Sequence, residues 1–214
     1  ISLGVSLILV FSCLALASGF LDPLENNYDN YEKWDLKVKL VNPLPEDNIT
    51  TIFDGGSFQD LDVEMAMDDY IPIRDGDGLS FVRFQAFETE SEMRNFHVIE
   101  GNFDPENGVL IGSIIANDLG LNTGDEVEFV QGNRSVTTTI TGITGELMDD
   151  SFLMTLDQVK DLFGTGGFVN SLIVRTNGMD HEILEGIFRE NFPVSAFIYT
   201  ENVIKGIETM MQGI

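Results

Sequence analysis

Two histidines, a few adjacent acids and a single cysteine are the side chains here with the means to do chemistry, and their spacing gives them little to do together. His97 stands beside an expected strand edge and His181 at an expected helix start. Neither has a second ligand or a nucleophile near it in sequence, so each reads as an exposed or internally satisfied imidazole. Asp149-Asp150 pairs two carboxylates, but glycoside chemistry needs acids held across a substrate, and neighbours in sequence do not define that separation. They read as loop acids. Arg74-Asp75-Gly76-Asp77-Gly78 opens like a calcium loop yet lacks the later ligands and the closing Glu, so it reads as a turn. Gly164-Thr165-Gly166-Gly167 follows a helix and precedes a strand, the reverse of a phosphate cradle. Cys13, the only cysteine, has no partner for an internal disulfide, and the bulky Phe11 before it makes a poor lipobox. With no GxSxG, P-loop, Rossmann, CxxC or HExxH pattern, no catalytic, cofactor-binding or metal residue is assigned, and no enzymatic activity of the chain's own is expected.

Charge narrows the partners further. Against 36 acidic residues stand 11 basic ones, a formal net charge of -25 spread along the 214 residues. Nucleic acid is a poor partner for such a chain, because its phosphates must be neutralised by Lys and Arg, and an anionic membrane surface would repel the folded part. The acids read as a solvating surface, with cation binding as the other reading. At 43% hydrophobic, the chain is rich enough for one large domain or two small ones with a sizeable core.

Residues 1–20, ISLGVSLILVFSCLALASGF, carry no charge and have the length of a transmembrane helix. The alternative is a signal peptide cleaved after Ala15-Leu16-Ala17, leaving a protein that starts near Ser18. The opening at Ile1, without Met or a basic stretch, leads us to expect more chain upstream. Between Phe20 and Lys33 there are acids, Asp22, Glu25, Asp29 and Glu32, and no Lys or Arg, which is the signature of the translocated side. On that side Asn48-Ile49-Thr50 and Asn133-Arg134-Ser135 match the N-glycosylation pattern.

The elements that follow are legible by period. Trp34–Val41 alternates apolar and charged residues and predicts a half-exposed strand ended by Pro43 and Pro45. Glu46–Phe53 predicts a short helix stopped by Gly55-Gly56, and 61–67 another strand. Residues 79–88 predict a long strand with Phe81, Arg83, Gln85 and Phe87 on one face and Val82, Phe84 and Ala86 on the other, while 91–97 are too irregular to place. Later, Thr155 is a good N-cap for a helix striped by Val159, Leu162 and Phe163. A strand over FVNSLIVRT, a helix from Met179 to Asn191 and a strand over PVSAFIYT make a second strand, helix, strand unit. Val203, Ile204, Ile207, Met210, Met211 and Ile214 then fall at helical spacing, and the chain is expected to run on past Ile214. Two such units divided by a β-rich insertion make an α+β chain with a split ferredoxin-like sandwich.

The insertion centres on Val98–Glu146. Val109–Ile111 predicts a buried strand, Ser113 an N-cap, IIANDL a short helix and Gly120 its left-handed stop. Asn122-Thr123-Gly124-Asp125 turns into EVEFV, and Gln131-Gly132-Asn133 turns that back into SVTTTITGI. Small swapped-hairpin barrels share the helix and its "GD" turn. The longer order of Glu100-Gly101-Asn102-Phe103, Val109 to Gly112, Ala116 to Gly120, Gly124-Asp125-Glu126-Val127, Ile140 to Ile143 and SLIVRT at 171–176 resembles the extracytoplasmic domain of FtsX/MacB-like ABC-transporter permeases over almost the entire chain. Asn102 departs from the arginine usual in the "EGR-x-F" entry of that family, and the loop after it is short. The resemblance implies a first transmembrane helix at 1–20 and a porter-like ferredoxin subdomain at 28–85 and 160–200. It further implies a β-rich insertion at 86–159, and a helix from 201–214 towards a second span. It also implies a cytoplasmic ABC ATPase subunit as partner, a homodimer or paired permease, membrane embedding, and no nucleic acid. The competing reading is a secreted or surface-anchored acidic binding module with no ATPase partner.

Overall fold

The computed structural model describes residues 27, 30–76, 78–145, 150–164 and 167–212. The expected span at residues 1–20 lies outside them, and no described helix is long and apolar enough to cross a membrane. Among the described residues the architecture is mixed α+β, with ten strands in one large sheet and five helices. In chain order these are β1 (Leu36–Pro45), α1 (Glu46–Asp54), β2 (Asp62–Asp75), β3 (Gly78–Phe87), β4 (Val98–Gly101), β5 (Gly108–Gly112) and α2 (Ser113–Leu119). There follow β6 (Glu126–Gln131), β7 (Arg134–Thr144), β8 (Ser151–Thr155), α3 (Leu156–Phe163), β9 (Phe168–Arg175), α4 (His181–Asn191), β10 (Val194–Tyr199) and α5 (Thr200–Gln212).

At one end the strand order is β10-β1-β9-β2, all antiparallel. Leu36, Val38 and Leu40 of β1 point to one face, where Ile49 of α1 and Leu184 and Phe188 of α4 pack on them. Phe53, Phe58, Phe188 and Phe192 join that layer as edge-on, tilted and stacked rings 5.2–6.2 Å apart. The strand β2 then changes company. Its first residues, Asp62–Ala66, pair with β9, and from Ala66 onwards it pairs with β3 in a hairpin. Beyond β3 the order continues through β8, β5, β7 and β4, and β6 pairs with β7 along its length and with β2 at Ile73–Phe129. The strands β2-β3-β8-β5-β7-β6 therefore close into a ring. Ile71, Ile73, Val82, Phe84, Val109, Ile111, Val127, Phe129, Ile140, Phe152 and Met154 belong to the core of this part. Phe163 of α3 meets Phe84 and Phe129 there, at 6.2 and 5.7 Å between ring centroids.

A second, smaller core lies on the other side of these strands. Phe87, Leu110, Leu153, Ile173 and Ala66, which alternate with residues of the first core, pack with Trp34 and Met93, and Phe96, Val98 and Phe103 close over them. Residues 91–97, unplaceable by period, thus lie in the segment that covers this layer, through Met93 and Phe96. Its existence explains why β5 and β8 are buried at every position and show no alternation.

Several expectations are corrected. Pro43 and Pro45 do not end β1: past Leu40 its pairing to β10 stops, so a residue without an N–H is tolerated on the freed edge while β9 still pairs with Leu44 and Pro45. The strand expected at 61–67 runs on to Asp75 because the hairpin with β3 extends it. Ser113 is the first helical residue of α2 rather than its cap, a position held by Gly112. Lys37, expected on an exposed face, is 7% exposed, for reasons given below. Other signals hold: Gly120 ends α2 at φ 67, and Thr155 caps α3 with a full capping box, its hydroxyl accepting from Gln158 N while Gln158 Oε1 accepts from Thr155 N.

Candidate functional site

The sequence-level candidates do not converge. His97 stacks on Tyr31 at 5.1 Å. His181 stacks on Tyr199 at 3.9 Å with Glu201 4.0 Å from its Nε2. Burial first, then Glu185, pushes the Tyr199 hydroxyl up to about 12. Asp150 pairs with Arg83 at 3.4 Å, and Asp149 lies outside the described residues. In the 74–78 turn Arg74 pairs with Glu128 at 3.0 Å and Asp75 accepts from Ser80, while Asp77 is outside the described residues. Gly164 is a left-handed helix cap and Gly167 lies against Glu46 and Lys160, so these glycines form a stop and a close approach. Asn48 and Asn133 are both exposed. Among the described residues no three His, Cys, Asp or Glu side chains come together to hold a metal ion.

What the fold assembles instead is a polar track on the face of the sheet opposite α1 and α4. Its centre is Asp68, on β2 just where that strand passes from β9 to β3. Arg83 of β3 donates to both carboxylate oxygens at 2.8 Å, and Lys39 and Lys37 of β1 approach at 3.1 and 3.4 Å. The backbone of Asp68 is held too, its N–H donating to Asn170 Oδ1 and its carbonyl accepting from Asn170 Nδ2. Burial alone would raise the Asp68 pKa, but the hydrogen bonds from Arg83 and the charges of Lys37, Arg83 and Lys39 outweigh it and hold the carboxyl well below the usual carboxylate range. Lys37 lies over the Trp34 ring at 5.8 Å, and its burial pulls the ammonium below the ordinary lysine value even with Asp68 beside it. Asp68 therefore ties β1, β2 and β3 together at the point where the two ends of the sheet meet.

Glu64, four residues earlier on the same face of β2, performs a matching task for the cover segment. Its carboxylate accepts from the Glu92 and Met93 N–H groups at 2.8 and 3.1 Å and from the Ser91 hydroxyl. Lys33 N–H donates to Met93 O, and Glu32 bridges to Arg94, so the chain entering β1 is fastened to this segment. Between them opens a groove of about 460 Å³ lined by Tyr31, Glu88, Arg94, Phe96, Phe103 and Thr155 among others. Arg94 is 3% exposed. It lies 5.3 and 4.9 Å from the Phe87 and Phe96 centroids, donates to Asn95 O at 2.7 Å and reaches Glu32 at 3.9 Å. Glu88 Oε1 accepts the Met65 N–H at 2.7 Å. Burial raises the Glu88 pKa, the Met65 hydrogen bond opposes this, and Glu64 and Glu46 add to the rise.

No family model matches the sequence, and no curated protein matches it either. Among solved structures, the periplasmic region of MacB from Actinobacillus actinomycetemcomitans superposes on 86% of this chain and 97% of that one, with TM-score 0.54 and 11% identity. The fold is that of a MacB-type extracytoplasmic domain. The extracellular domain of the noncanonic ABC-type transporter YknZ from Gram-positive bacteria is also similar, at 13% identity over 72% of this chain and 87% of that one, with TM-score 0.49. On this MacB-type fold, sequence reasoning overlooked Lys37, Asp68, Arg83, Glu88 and the groove. The available signal was scarcity: three of only 11 basic residues, two on β1 and one on β3, gather around one acid of β2.

Proposed function

We propose that the chain is the extracytoplasmic domain of an ABC-transporter permease subunit. It couples ATP hydrolysis by a separate cytoplasmic ATPase to movement of a substrate, or to signalling, outside the membrane, and has no catalytic site of its own. The observation that carries this reading is the place where the chain enters and leaves the MacB-type fold. Thr200, the first residue of α5, donates its N–H to Asp35 O at 2.9 Å and its hydroxyl to Trp34 O at 3.0 Å, beside the Leu36–Tyr199 pair. The segment before β1 and the helix after β10 therefore lie side by side at one end. That is the arrangement needed if residues 1–20 span the membrane and residues 201–214 lead to a second span.

On this reading β1, α1, the start of β2, β9, α4 and β10 form a split ferredoxin-like subdomain, whose strand order 4-1-3-2 is β10-β1-β9-β2. On the same reading we would start the insertion within β2, near Ala66, where pairing passes from β9 to β3, in place of the residue 86 expected from sequence. Two copies, or two related permeases, pair through their membrane segments and α5 helices, and the ATPase stroke reaches the domain through these. Cysteines at Gly19 and Gly213, in a chain lacking Cys13, test this in native membranes. Crosslinks between copies that change when ATP is added are expected, and an identical pattern with and without nucleotide counts against mechanical coupling.

A further inference from the structure

We propose that the groove between Tyr31, Glu88 and Phe103 binds small amphipathic organic cations, with the amine against the Glu88 carboxylate and the apolar body against the aromatic walls. The inference goes beyond the transport reading and does not rest on it, since the groove binds or fails to bind on this chain alone. At about 460 Å³ the groove has the size of a small-molecule site. Its walls include the Tyr31, Phe96 and Phe103 rings, with Phe96 and Phe103 tilted against each other at 4.9 Å. These supply the apolar contact area. The charge of Arg94 is engaged inside the wall, over two rings and with Glu32 and the Asn95 carbonyl. The acid in the lining is Glu88, and Glu64 is near enough to add to the rise of its pKa. An anionic head would meet the Glu88 carboxylate while the guanidinium in the wall is already committed, whereas a cation relieves the repulsion between Glu88 and Glu64 and adds cation–π contact with the rings. The net charge of -25 draws cations towards the same surface.

The chain carries a built-in reporter, because its only tryptophan, Trp34, packs in the same small core as Phe87, with Phe96 and Phe103 against it. The full chain in lipid nanodiscs is titrated with dansylcadaverine, a naphthalene sulfonamide with a primary amine, and with N-pentyl dansylamide, which has the same ring and carbon arm without the amine. Energy transfer from Trp34 to the dansyl ring reads binding at the groove. The amine is expected to bind at least tenfold more tightly than the neutral analogue. Glu88→Gln keeps an oxygen for the Met65 N–H and abolishes the preference. Phe103→Ala weakens both probes, and Phe81→Ala, on the exposed tip of the β2–β3 hairpin, changes neither. Equal affinity for the two probes on the native chain overturns the proposal, as does a Glu88→Gln chain that still prefers the amine or a Phe103→Ala chain with unaltered binding.

Discussion

Asp68 concentrates more of the molecule's electrostatics than any other side chain described above. Its side chain and that of Lys37 are 9% and 8% exposed, so removing the carboxylate strands a buried ammonium. Asp68→Asn should cost about 3–5 kcal/mol, the range for breaking a buried pair, in denaturant unfolding. Adding Lys37→Met to it should recover part of the loss, since the stranded charge goes too. The pH dependence follows from the sign of the shift. A depressed folded-state pKa contributes stability that is present above the usual carboxylate range and is lost only as pH falls through the folded value, well below that range. The gap between native and Asp68→Asn stabilities should therefore hold from neutral pH down to the usual carboxylate range and narrow only in stronger acid. Glu88 has the opposite sign. Its raised pKa favours the fold at low pH and withdraws that support as pH rises, so Glu88→Gln should gain thermal stability over the native chain near neutrality and lose the advantage in acid. None of this was legible in sequence. Alternation put Lys37 on the outward face correctly, but only tertiary structure places Trp34 and Asp68 over that face.

Among the elements, those with a period or a cap were legible, and of the two strands buried at every position β5 was legible from its apolar run while β8 was not. The hairpin β6–β7, the helices α1, α3 and α4, and the left-handed stop at Gly120 all carry local signals strong enough to survive packing. The strand β8 carries none. SFLMT is uniformly buried between the two cores, so it ran unseen into the capping signal of α3. That cap is testable: Thr155→Ala should lower stability by about 1 kcal/mol, with Thr155→Ser restoring most of it, measured by urea unfolding. Gly108 tests the β5–β7 contact. A Cβ there would collide with the Thr139 carbonyl oxygen of the parallel partner strand, while its own carbonyl accepts from Gln158 Nε2 at 2.5 Å. Gly108→Ala should cost about 1–3 kcal/mol, as overpacking does, and an alanine chain as stable as the native one would show that β5 and β7 are less tightly apposed.

For the molecule as a whole, two features of the MacB-type fold bear on the proposed coupling. One long strand, β2, belongs both to the four-stranded end and to the closed ring, and the Asp68 cluster fastens the two at the crossing. The chain's entry and exit lie together at the far end, tied by Thr200 to Trp34 and Asp35. On the proposed reading, a pull or twist on the flanking segments would thus move the domain as one body rather than unravel an edge. The order of motifs carried this architecture in sequence, because each short piece is degenerate but their succession is not. Ring closure was beyond reach, since it depends on long-range contacts of β2 with β6, among them the Ile73–Phe129 pairing and the Arg74–Glu128 ion pair. The acidic character, by contrast, was plain from composition. The central claim is tested most directly by extracting the native gene product from its own membranes and weighing what comes with it. The account predicts an alkali-resistant membrane protein that retains residues 1–20 and co-purifies with a nucleotide-hydrolysing ABC subunit. A soluble product beginning near Ser18, with no ATPase attached, would contradict it.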